Sequence, residues 1–198
     1  MNLPIYQLEI SDDVNDLSEV DFVALVDKPA IERNFLKFNE SRANFVIQSE
    51  ERRIVSGPLM LADTPIYRND ENGEYYVMFT KPTIEKIAQK FFKKGYQSNV
   101  NLMHDNNQAV DGVTMFESWI VDQSRGIASM KGFEDAPDGS WLGSFLVEND
   151  SVWSRIKSGD FKGFSVEGLF NYKKGKQEMS KDEEIWHKIV EVLNGVEV

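Results

Sequence analysis

Short runs of β-branched and aromatic residues, each cut off within a few positions by a turn cluster, recur along this chain and restrict it to a fold built mainly of short strands. Residues 3–10 and 19–27 are two such runs, the second stopped by Asp27-Lys28-Pro29. Residues 54–61 and 74–80 flank the turn-rich stretch 69–73 and predict a β-hairpin with a loose loop. Gly57-Pro58 marks a bulge or an edge position in the first of these strands. Further strands are predicted at 99–103, running into His104-Asp105 and a polar turn, and then at about 112–121, 141–148 and 163–172. Helical spacing appears in three places. After Pro82, residues Ile84, Ile87, Ala88 and Phe91 form one stripe that Gly95 stops; Asp150 caps a short helix carrying Val152, Trp153 and Ile156; and Ser180 with Glu183 opens an amphipathic tail through Ile185, Ile189, Val192 and Leu193. Single helices interrupt the strands without βαβ alternation. The pattern predicts an α+β, mainly β fold: a closed or curled antiparallel β-barrel of about seven strands with about three helices. Residues 1–175 are expected to form the barrel domain, with 32–53 as a long loop or arm, and 176–198 a C-terminal amphipathic helix.

Composition narrows the chemistry. The 198 residues suit one core with small appendages. A net charge of −11 repels phosphate backbones and anionic lipid, so neither nucleic acid nor membrane is expected as a partner. With no Cys there is no thiolate nucleophile, disulfide or Cys-ligated zinc, and two His cannot make a three-His metal site. No secretory leader or membrane span is legible, which predicts a cytoplasmic setting. Trp119, Trp141 and Trp153 read as core or groove-lining residues, and Asp135, Asp138 and Asp150 as turn and cap residues without calcium-loop spacing.

The remaining nucleophiles are hydroxyls, carboxylates and Lys. A serine needs a neighbouring base, most often imidazole, to take its proton. His187 falls at about 200° on a helical wheel whose apolar stripe centres at about 60°, so it faces water. His104 ends a strand and sits at the rim of a core, with Val100 and Leu102 on its face by alternation. Ser165 stands in Lys162-Gly163-Phe164-Ser165-Val166-Glu167-Gly168, pointing away from Phe164 and Val166, with glycines that allow close backbone approach. Glu167 shares its face about 7 Å along the strand.

A strand ending in His-Asp, two further strands, a short helix ending in Gly, and then Gly-Phe-Ser-Val-Glu-Gly resemble the tailed-phage prohead (capsid maturation) serine proteases, distant relatives of the herpesvirus assemblins. The likeness is greatest to the phage serine proteases of defective prophages and extends over roughly residues 20–172. Asp21-Phe22-Val23-Ala24-Leu25-Val26-Asp27-Lys28-Pro29-Ala30 is similar to a strand that many prohead proteases carry after the nucleophile. Here it precedes Ser165, which implies a circular rearrangement and requires this segment to lie beside the Ser165 strand. The resemblance implies Ser165 as nucleophile and His104 as general base, with Asp21 in the third role and Glu19, Glu167 or His187 as alternatives. It further implies a serine endopeptidase that needs no cofactor or metal and cuts phage scaffold and major capsid proteins inside the assembling prohead, and it allows a homo-oligomer. The alternative is an inactive protease-like protein that binds capsid protein during assembly.

Overall fold

The computed structural model describes residues 3–27, 44–70 and 73–174. Within them lie two α-helices and twelve strands in three four-stranded sheets. The first sheet contains β1 (Ile5–Glu9), β5 (Ile66–Asp70), β6 (Gly73–Met78) and β12 (Asn171–Lys174), in the order β12-β1-β6-β5. The second contains β3 (Val46–Ser49), β4 (Ile54–Met60), β9 (Val113–Ile120) and β10 (Trp141–Val147), in the order β3-β4-β10-β9. The third contains β2 (Glu19–Val26), β7 (Val100–Leu102), β8 (Asp105–Ala109) and β11 (Gly163–Leu169), in the order β11-β2-β7-β8.

The closed or curled antiparallel barrel is thereby corrected: each sheet is open, with two edge strands. Two pairings explain why. β1 lies parallel to β6, and β2 parallel to β7. Parallel neighbours need long crossovers, which an up-and-down antiparallel barrel does not contain. The predicted hairpin is corrected too: residues 54–60 pair with β3 and β10, and β6 pairs instead with β5, Asp70 opposite Gly73. The expected strand 163–172 is broken between β11 and β12, the polar turn after His104-Asp105 is the strand β8, and part of the expected loop 32–53 is β3. The tail helix, His187 and residues 28–43 lie outside the described residues.

α1 (Lys81–Lys93) forms where the Ile84, Ile87, Ala88 and Phe91 stripe predicts it. Thr80 caps its first turn by accepting from the Thr83 N–H, and all four apolar side chains are buried. α2 (Asp150–Ser158) is capped by Asn149, one residue before the expected Asp150, and ends at left-handed Gly159. One core gathers side chains from every sheet and both helices, among them Leu8, Val55, Leu25, Ile87 and Trp153. At its centre Phe145 meets Phe164 at 4.5 Å between ring centroids, so the strand carrying Ser165 is anchored through its neighbour. Buried Lys90 on α1 donates from Nζ to the carbonyls of Asp13, Asp16 and Ser18 at 2.8–3.0 Å, tying the loop before β2 to the helix.

Candidate functional site

The turn between β7 and β8 sets the position of the imidazole. Leu102 and Asp105 are register partners, leaving only Met103 and His104 between the strands, with φ of 56° and 61°. Two successive positive φ values in a two-residue loop match a type I′ turn, which ordinarily takes Asn-Gly. His104 is therefore beyond the strand's end, and the expectation that it continues the Val100–Leu102 alternation is corrected. The left-handed backbone costs a non-glycine residue about 1–2 kcal/mol. His104→Gly is thus expected to be more stable than His104→Ala by about 1 kcal/mol, the reverse of the usual order of these residues within a strand. Urea denaturation of the two variants checks this; Ala above Gly would mean that position 104 is not held left-handed.

Ser165 lies mid-strand in β11, 5% exposed. Its register partner is Ala24 on β2, whose own partner on the next strand is Asn101. Partners across a sheet project on one face, so Ser165, Ala24 and Asn101 form a row in which only a methyl group separates the two polar side chains. Within the segment similar to the strand found after the nucleophile in prohead proteases, residues 21–26 belong to β2, beside the Ser165 strand.

Glu167, two residues along the same face, reaches the imidazole: its Oε1 is 3.0 Å from His104 Nδ1. The same oxygen accepts from Asn101 Nδ2 at 2.6 Å. Asp21, the acid placed first for this role, goes elsewhere. Glu167 pairs with Phe22 and Gly168 with Val20, so Asp21 is the extra residue of a β-bulge. Burial pushes the Asp21 carboxyl above the ordinary range, and neighbouring Glu19 and Glu167 add to the effect. Glu19 accepts from the Tyr96 hydroxyl at 3.0 Å and pairs with Lys94, which occupies it on the α1 side. Asp105 accepts from the Asn107 N–H at the start of β8.

Ser165 and His104 line the same cleft of about 350 Å³, without a direct hydrogen bond between them. Its lining includes the apolar Leu8, Leu61, Ile66 and Phe79, and also Arg68 and Tyr172. β11 is an edge strand. Its outer side is met at the start, where Asn44 bridges Gly163 and the Phe45 N–H reaches Lys162 O; from Ser165 onward no described strand pairs with it, although β4 packs close by. Gly168 has a role different from the approach of substrate: a Cβ there would lie 2.8 Å from the Glu19 carbonyl carbon and from Val20 Cα, so its absence lets β2 pack against β11 at the bulge. Asn101 is the site residue that sequence reasoning missed. A polar residue between the core residues Val100 and Leu102 was the signal that pointed to it.

Serine, imidazole and carboxylate at one cleft are the side chains of serine hydrolases. Residues 42–174 match the model of the family described as "Putative phage serine protease XkdF", and the chain belongs to that family. Two proteins of Bacillus subtilis strain 168 are similar to it. The "Phage-like element PBSX protein XkdF" is 26% identical over 162 residues, covering 76% of this chain and 52% of that protein. The "Uncharacterized protein YqbD" is 27% identical over 159 residues, covering 76% and 44%. The chain spans about half the length of the curated relatives it matches. No solved structure matches it. Among the described residues, no helix is long and apolar enough to cross a membrane.

Proposed function

We propose that the chain is a serine endopeptidase acting on proteins of the assembling phage head, with Ser165 as nucleophile, His104 as general base and Glu167 as the carboxylate that orients the imidazole. The observation that carries this reading is the contact between His104 Nδ1 and Glu167 Oε1 in the cleft that Ser165 also lines. A carboxylate on Nδ1 favours the tautomer in which Nδ1 bears the proton and Nε2 is free to act as base. As substrate closes the cleft, Nε2 takes the Ser165 proton and Oγ bonds to the scissile carbonyl carbon. The tetrahedral oxyanion then collapses, the C–N bond breaks, and the imidazolium returns its proton to the leaving amine. Water, deprotonated by the same nitrogen, hydrolyses the acyl-enzyme and regenerates Ser165.

The unpaired part of the β11 edge supplies backbone groups that an extended peptide would pair with, and the apolar residues lining the cleft would take a large side chain. Scaffold and major capsid proteins are the substrates this reading implies, and the interior of the prohead in the host cytoplasm is its location. The chemistry requires neither metal nor cofactor.

A fluorophosphonate, which phosphonylates an activated serine with loss of fluoride, tests the nucleophile. Intact-mass and peptide mapping are expected to place one label on Ser165, and His104→Ala is expected to slow labelling by at least about 100-fold. Labelling at another serine, or equal rates in the two proteins, would remove the reading.

A further inference from the structure

We infer that Asn101 is a positioning residue for the proposed reaction, acting through Glu167 and His104 without touching substrate; the inference rests on the proteolytic reading of the cleft. Glu167 stands on an edge strand with its side chain 21% exposed, so its carboxylate is free to turn toward water unless something holds it. Asn101 provides the hold. It is fully buried, and its backbone is pinned in β7 by register with Ala24 on one side and Ala109 on the other. Its Nδ2 donates to Glu167 Oε1 at 2.6 Å. The oxygen that Asn101 grips is the one that meets His104 Nδ1, so fixing it fixes the imidazole.

The other end of the amide supplies an independent observation. Asn101 Oδ1 is buried with no hydrogen-bond partner. Turning the amide over would not help, because it would set a carbonyl oxygen against the Glu167 carboxylate. An unpaired buried acceptor costs stability, and an apolar residue between Val100 and Leu102 would avoid that cost. Folding alone therefore gives no reason for Asn at this position, whereas an anchored Glu167 does.

The test uses the full chain and compares Asn101→Ala and Asn101→Leu, the second of which nearly keeps the shape but has no donor to offer Glu167. Peptide cleavage is expected to show kcat reduced about 10- to 100-fold in both variants, with KM within about twofold. In a Ser165→Ala background, proton NMR is expected to show the downfield His104 Nδ1–H resonance, and adding either Asn101 substitution should abolish it. If Asn101→Ala fails to fold, Asn101→Leu decides: wild-type kcat together with an intact resonance overturns the inference. Should Ser165→Ala and His104→Ala retain full cleavage, the proteolytic reading falls instead, while the resonance still reports whether Asn101 holds the Glu167–His104 pair.

Discussion

Replacing Ser165 by Ala is expected to reduce peptide cleavage about 10⁴- to 10⁶-fold while leaving thermal stability unchanged. The first half follows from the proposed chemistry. Without Oγ no acyl-enzyme forms, and only binding and polarisation of the substrate remain. The second half follows from packing. Ser165 is buried, but among the described residues its hydroxyl shares no hydrogen bond, so truncation to Ala orphans no partner and opens almost no cavity. Loss of a catalytic group is thereby separated from loss of fold in a single variant. A Ser165→Ala protein that keeps more than about a tenth of wild-type turnover would show that the cut is made elsewhere.

Gly168→Ala is expected to produce the opposite signature, a loss of stability of about 3 kcal/mol or more that carries activity down with it. The added Cβ would fall well inside van der Waals contact with the Glu19 carbonyl oxygen and 2.8 Å from two further backbone atoms of β2. Backbone cannot rotate away as a flexible side chain can, so β2 and β11 must separate. They would separate at the bulge that follows Glu167, shifting the carboxylate relative to His104. A misplacement of that kind is expected to cost about 100-fold in rate beyond any loss of folded protein. Gly159→Ala is the control. Gly159 is left-handed, with open space around its would-be Cβ, so substitution there should cost only about 1 kcal/mol and leave the cleft alone. Urea midpoints for the two variants make the comparison; equal losses would mean that the β2–β11 approach is not as close as described.

The candidate chemistry was legible in the chain because so little competes for it. With no Cys and two His, His104 and His187 are the only imidazoles, and a helical wheel turns His187 away from its stripe. Ser165 stands out by its glycine-flanked strand. The carboxylate beside His104 was harder to choose. Alternation along β2 and β11 left Asp21, Glu19 and Glu167 all open, because the choice depends on a bulge at Asp21 and on a turn that carries His104 toward β11. Neither leaves a trace in the residues' polarity.

Local interactions explain what the sequence determined alone. The stripe from Ile84 to Phe91, with Thr80 and Pro82 before it, specifies α1, and the short apolar runs specify strands, since both depend on neighbours a few residues away. Only the tertiary structure decided which strands pair. β2 takes β11 on one side and β7 on the other, and β1 takes β6 in parallel, so the sheets stay open where the pattern suggested closure. Strand pairing is settled by burial and backbone hydrogen bonds between segments far apart in sequence, and those same long-range pairings bring Asn101, Ser165 and Glu167 to one sheet, with His104 reaching Glu167 from the turn at the end of β7.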